Sequence, residues 1–253
     1  MLPKTPSFRL DGKRALITGA GRGLGLAAAA ALAEAGAEVW LASRTVAEVE
    51  VVARAVRDRG DRATALRLDI RDTAKTTEAI AAHGPFDILV NNAGVARHAG
   101  VLDATVADAD YALDTNVKAA YFVAQAVARG LVAAQRPGSL IHITSQMAHV
   151  GGPNRSLYCA SKHAVEGFSK VLAIELGPYG IRSNTLAPTF IRTPLTEPFF
   201  VDPKFSGWVL DNIKLGRIGR VEDIMGPVVF LASDASSLMT GSCVMVDGGW
   251  TAS

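Results

Sequence analysis

The apolar positions of this 253-residue chain fall into two alternating patterns. Short runs such as "RALITG" (14–19), "AEVWLAS" (37–43) and "ATALRLD" (63–69) are apolar at most positions. Between them, stretches from about Leu24 and over 46–59 repeat apolar residues at helical spacing. The rhythm continues through "FDILVNNAG" (86–94), "GSLIHITS" (138–145), "IRSNTLAP" (181–188) and "SCVMVDGG" (242–249), each bounded by Gly, Pro, Asn or Asp. Strands apolar on both faces and separated by helices predict an α/β fold, a parallel sheet covered by helices on both sides.

The segment 194–220 breaks the rhythm. It holds Pro194, Pro198 and Pro203 together with Phe199, Phe200, Phe205 and Trp208, which rules out one straight helix and is too apolar for an idle loop. Two readings stay open: a substrate lid, or a surface excursion that packs its aromatics on a neighbouring helix or subunit.

Composition narrows the class. One core suits this length, and 49% hydrophobic with 20% charged residues describes a well-buried globular protein. A net charge of +2 with both signs interspersed gives no electrostatic footprint for nucleic acid. Cys159 and Cys243 lie far apart without metal-ligand spacing, so reduced thiols and no metal are expected. The N-terminus lacks an apolar signal core and no run reaches membrane-span length, so a cytoplasmic chain with no membrane partner is expected.

The chemistry begins at "TGAGRGLG", residues 18–25, where a strand meets a helix. Leu24 stands where the third glycine of G-x-G-x-x-G would fall, yet the physical requirements of a dinucleotide turn remain: a strand, a tight bend and a helix N-terminus aimed at phosphate. Gly19 permits the turn, Gly23 lets the backbone approach pyrophosphate, and Gly25 lets the helix lie close to the sheet. Gly21 and Arg22 complete the loop.

This spacing resembles that of the short-chain dehydrogenase/reductase family, and further family motifs follow in order across almost the whole chain. They are "LDI" with Asp69 and Ile70, "NNAG" with Asn92, Ala93 and Gly94, "TNV" with Asn116, "ITS" with Ser145, "YCASK" with Tyr158 and Lys162, and "LAPTFIRTP" with Pro188, Ile191 and Thr193. The resemblance implies a single Rossmann-type doubly wound domain over 1–253 with a seven-stranded parallel sheet. It implies a nicotinamide cofactor held by these segments, and interconversion of a ketone and a secondary alcohol. Homotetramers built on two long helices, about 105–135 and 156–177, and on the C-terminal strand are also implied, with a dimer as the alternative.

The second strand ends in Ser43 and Arg44, where NAD-preferring sites place a carboxylate that would repel a 2′-phosphate. Arg44, with Arg22 as a second charge, therefore predicts NADP(H) over NAD(H). Alternatively, both arginines are merely solvated.

Tyr158 and Lys162 stand one helical turn apart on one face. An ammonium beside the phenol favours the phenolate, so Lys162 is expected to lower the Tyr158 pKa. By resemblance Ser145 orients the substrate oxygen, Tyr158 transfers the proton, Lys162 also holds the cofactor ribose, and Asn116 holds a water leading from Lys162 to solvent. A catalytically silent NADP(H) sensor or scaffold is the reading from another class, and the retained tyrosine and lysine speak against it.

Thr189 follows Pro188 where the family usually has glycine, which disfavours positive φ and adds bulk near the nicotinamide. Loops around the site carry Arg97, His98, Gln146, His149, Arg155, Phe190 and Arg192. Their polarity favours a keto/hydroxy substrate such as a sugar acid or polyol, with Gln146, His149, Arg155 and Phe190 as substrate contacts. The lid aromatics and the likeness to 3-oxoacyl carrier-protein reductases, beside gluconate 5-dehydrogenase types, leave 3-oxoacyl thioesters and cyclic or aromatic ketones as the alternative. Trp250 is expected to be buried, either against a neighbouring subunit or on the chain's own lid.

Overall fold

The computed structural model describes residues 2–252. Seven parallel strands form one sheet in the order β3-β2-β1-β4-β5-β6-β7. They are β1 (Arg14–Thr18), β2 (Glu38–Ser43), β3 (Ala63–Arg67), β4 (Ile88–Asn91), β5 (Gly138–Ile143), β6 (Ile181–Pro188) and β7 (Cys243–Val246). Every expected strand is present. Most are shorter at the carboxyl end, because "NAG" after β4 and "DGG" after β7 leave the sheet; Gly248 and Gly249 turn at φ of 62° and 86°.

Register explains the unbroken apolar runs. Leu16 pairs with Leu89 and Leu89 with Leu140, while Ile17 pairs with Val90 and Val90 with Ile141. Side chains alternate across a strand. The first row therefore packs on one face with Ile80, Val123 and Val127, the second on the other face with Ala28, Leu32 and Val228.

Helices α1 (Gly23–Glu34), α2 (Val46–Asp58) and α8 (Met225–Ala232) supply residues to one face; α3 (Thr73–His83), α5 (Ala120–Ala133) and α6 (Ser156–Leu176) supply the other. The small buried side chains of α1, Ala27, Ala28, Ala29 and Ala31, allow it to lie close to the sheet. The expected continuous helix over 105–135 is interrupted. It divides into α4 (Val106–Leu113), a π-helical turn (Asp114–Ala119) and α5, and the wide turn buries Thr115 and Asn116.

Within 194–220 a 3-10 turn (Glu197–Val201) leads into α7 (Pro203–Asn212), with Asp202 capping the Lys204 N–H. Phe190, Phe205 and Trp208 pack with Trp250, which is buried by this segment of its own chain. No helix among the described residues is long and apolar enough to cross a membrane.

Candidate active site

The strand order reverses between β1 and β4, and in such sheets ligands bind outside the carboxyl ends of the strands at that point. A cleft of about 640 Å³ lies there, lined from Gly19 and Arg44 at one end to Tyr158 and Phe190 at the other.

The turn after β1 is built for close backbone approach. Gly19 and Gly23 have φ of 66° and 57°, which side-chain-bearing residues rarely adopt. A Cβ at Gly25 would collide with the Gly19 carbonyl oxygen. Asn92 braces the turn by donating to the carbonyls of Thr18 and Gly19 at 3.0 and 3.2 Å. The Thr18 hydroxyl accepts from the Asn92 and Ala93 N–H groups, joining β1 to the "NNAG" loop. Arg22 caps α1 in extended conformation without a side-chain hydrogen bond, so the first N–H groups of the helix are left for an anion.

At the far end of this turn, Ser43 and the exposed Arg44 close β2; the Ser43 hydroxyl accepts from Thr45 N–H at 3.2 Å. Asp69 is held by Arg71 through main-chain and side-chain bonds of 3.1 to 3.4 Å. Burial works to raise the Asp69 pKa, but Arg71 and the charge of Arg44 outweigh it and hold the carboxyl below its ordinary value. Ile70, Gly94, Pro188, Ile191 and Thr193 line the same cleft, as do Gly21, Leu24 and Ala93. Thr189 is not in positive φ; its N–H donates to the Val246 carbonyl, so the chain passes this point without glycine.

At the other end, Ser145, Tyr158 and Lys162 line one wall. Ser145, just past β5, donates to Gln146 Oε1 at 2.7 Å and accepts from Met147 N–H. Lys162 Nζ donates to the Ile143 carbonyl at 2.9 Å and stands 5.8 Å from the Tyr158 ring centroid. Burial brings the Lys162 pKa down to about 8, against the charge of Glu166 one turn along α6. Contrary to the expectation of a lowered value, the Tyr158 phenol is pushed up. Burial outweighs the Ser145 hydrogen bond, while the ammonium is engaged by Ile143. Asn116, from the π turn, bridges elements: it accepts from Val95 N–H at 2.8 Å and donates to the Val95 carbonyl and to Ser161 Oγ.

The predicted substrate contacts divide. Gln146, Arg155 and Phe190 line the cleft; His149 does not. The 3-10 turn after Ser145 carries His149 away, toward Glu166 and Cys243. Arg192 also lies outside the lining, paired with Glu197, whereas Arg97 pairs with Asp108 at the rim. Arg155 is 7% exposed, has no acidic partner among the described residues, and lies 5.5 to 5.7 Å from the ring centroids of Phe190, Phe205 and Trp208. His98 stacks edgewise on Tyr158 and Phe199, and burial followed by the charge of Arg155 lowers its pKa.

Several lining residues escaped the motif reading: Glu48, Arg71 and Thr115. Thr115 and Thr189 each bury a hydroxyl, and His98 a ring nitrogen, with no partner among the described residues, and all three line the cleft. Orphaned polar atoms on a cleft wall are what a polar ligand would satisfy.

A family model described as enoyl-(acyl carrier protein) reductase matches residues 19–251. The chain belongs to the short-chain dehydrogenase/reductase family of oxidoreductases. It is 41% identical to L-xylulose reductase of Bos taurus, covering 97% of this chain and 99% of that protein. It is 39% identical to gluconate 5-dehydrogenase of Gluconobacter oxydans, covering 97% of each. A crystal structure of a gluconate 5-dehydrogenase from Burkholderia cenocepacia, in complex with NADP and tartrate, superposes with a TM-score of 0.93 at 38% identity, covering 97% of this chain and 98% of that one.

Proposed function

We propose that this protein is an NADP(H)-dependent oxidoreductase that interconverts a ketone and a secondary alcohol on a small, polar, hydroxyl-rich substrate of the sugar-acid or polyol type. The observation that carries this reading is the meeting of Ser145, Tyr158 and Lys162 with the glycine cradle in one cleft. The glycine turn, the uncapped start of α1 and the arginines at residues 22 and 44 fit a dinucleotide bearing a 2′-phosphate. When bound, NADP(H) supplies or takes up the hydride.

The chain's own residues handle position and proton. A carbonyl oxygen seated between Ser145 and Tyr158 takes a hydrogen bond from the serine hydroxyl, which must first turn from Gln146. In reduction Tyr158 donates its phenolic proton to that oxygen. A raised phenol pKa keeps the proton in place at neutral pH. In oxidation Tyr158 must first release its phenolic proton to solvent; the phenolate, stabilised by the Lys162 ammonium beside it, then takes the alcohol proton. Asn116 is a positioning residue: its amide fixes Val95 beside the cleft, leaving the second lone pair of Oδ1 for a water.

Arg155 supports a substrate with a carboxylate or several hydroxyls, because a buried guanidinium with no acidic partner among the described residues favours an anion. A side recess of about 150 Å³ beside Arg97, His98 and Asn154 offers room for a hydroxylated tail. Phe190 and Phe199 on the same wall carry the second reading, a 3-oxoacyl thioester or cyclic ketone. Leu195, Thr196 and Phe199 line the cleft from segment 194–220, which supports a lid at its front half.

The proposed assembly is a cytoplasmic homotetramer; exposed Val171 and Ile174 on α6 and Phe122 on α5 support contacts between long helices, and light scattering tests it. The function is tested by NADPH oxidation with keto sugars, keto sugar acids, 3-oxoacyl thioesters and cyclic ketones. Turnover of the first two groups, with the acid group weakened by Arg155→Met, is expected. Turnover confined to thioesters or cyclic ketones overturns the substrate reading, and silence across the panel with intact NADPH binding favours a sensor.

A further inference from the structure

One turn beyond Lys162 along α6, three side chains from three elements converge. His149 Nε2 lies 3.5 Å from Glu166 Oε1 and 3.4 Å from Cys243 Sγ. All three candidate ligand atoms lie within 4.8 Å of one another. We propose that His149, Glu166 and Cys243 form a site for a borderline-soft divalent cation, zinc in the first instance.

The geometry is close to what such an ion needs. Zinc bonds of about 2.0–2.1 Å to nitrogen, 2.3 Å to sulfur and 2.0–2.2 Å to oxygen, set at tetrahedral angles, place N and S about 3.6 Å apart and N and O about 3.4 Å apart. Two edges of that triangle are already present, and the third, between Cys243 Sγ and the Glu166 carboxylate, is within 4.8 Å. The donor set of one imidazole, one thiol and one carboxylate suits zinc over magnesium or calcium, which take oxygen ligands.

The surroundings are those of a supported ligand. Both carboxylate oxygens of the buried Glu166 accept hydrogen bonds from hydroxyls, Oε1 from Thr144 at 2.7 Å and Oε2 from Thr185 at 2.8 Å. These fix the carboxylate as outer partners fix metal ligands. Thr185 pairs with Cys243 across β6 and β7, so the same residue sets the thiol's register. The His149 side chain is 32% exposed, which gives an ion a path from solvent and leaves the fourth position to water. Binding replaces the Cys243 S–H bond by a metal–sulfur bond, and the proton goes to solvent. Sequence spacing hides the site, since the ligands come from the turn after β5, from α6 and from β7.

The test uses the full-length, reduced and chelator-stripped protein, titrated with cobalt(II) and then zinc. One equivalent per chain is expected, with a thiolate-to-cobalt charge-transfer band in the near ultraviolet that zinc abolishes by displacement. Cys243→Ser and His149→Gln should each weaken binding more than about tenfold and remove or shift that band. A measurement free of variants accompanies this one: zinc should slow alkylation of Cys243 and leave that of Cys159, the internal control, unchanged. Cobalt spectra without a charge-transfer band, variants that bind like the parent, or Cys243 alkylation indifferent to zinc would each overturn the site.

Discussion

Replacing Arg44 by alanine separates the two nicotinamide cofactors. The side chain is exposed beyond the end of β2 and lines the cleft, as do Arg22, Arg71 and Glu48. A hydrogen bond to a charged group contributes about 1.5–3 kcal/mol, and exposure to solvent and salt reduces that to about 1–2 kcal/mol here. That energy corresponds to an affinity loss of about 5- to 30-fold for NADPH. NADH has no 2′-phosphate, so its affinity should stay as in the parent. Calorimetric titration of both dinucleotides at two ionic strengths measures this, and the NADPH loss should shrink at high salt. Ser43→Asp gives the complementary perturbation, weakening NADPH and leaving NADH bound. Equal weakening of both cofactors by Arg44→Ala would show that the guanidinium shapes the turn instead of reading the phosphate.

Three further outcomes follow from the other end of the cleft. Tyr158→Phe keeps the ring packed against His98 and removes only the hydroxyl, so kcat should fall by about 10²–10⁴-fold while calorimetric NADPH binding persists. Asn116→Ala leaves both Val95 backbone groups and the Ser161 hydroxyl short of a partner. It should cost roughly 2–4 kcal/mol in urea unfolding at fixed protein concentration, and a loss indistinguishable from zero would refute the bridging role. Lys162 has its pKa depressed from 10.5 to about 8, so between these values the unfolded chain binds the proton that the folded chain has released. Stability therefore rises with pH across that window, by up to about 3 kcal/mol, and the rise should vanish in Lys162→Met; identical pH profiles for both proteins would contradict it.

The parts of the fold that sequence periodicity reads well are those set by local rules. Rows such as Leu16, Leu89 and Leu140 are apolar because both sheet faces are covered, and a covered strand advertises itself over its whole length. The glycine turn is equally readable, since positive φ at Gly19 and Gly23 is a constraint on residue type. The π turn at 114–119 is not, because its cause lies outside the helix: Asn116 is drawn to Val95 and Ser161, and nothing in "DTNVKA" alone specifies those partners. His149 departs from its expected place for a related reason. Four residues past Ser145 suggests proximity to the substrate, but the 3-10 turn at Gln146–Ala148 sends the following side chain out of the cleft, to Glu166 and Cys243.

The segment 194–220 shows how one stretch of sequence can satisfy two readings at once. Leu195, Thr196 and Phe199 face the cleft, whereas Phe205, Trp208 and Val209 pack with Phe190, Trp250 and Ile213 behind it. Composition could not divide these roles, because an aromatic that borders a ligand and one that borders Trp250 need the same apolar surface. Arg155 joins the halves: its guanidinium lies over Phe190, Phe205 and Trp208 while the residue also lines the cleft. A charge so placed draws on ring faces for partial compensation and stays available to an anion. On the proposed reading of Arg155 as a substrate contact, a change at Trp208 should be felt at the substrate end without touching any substrate atom.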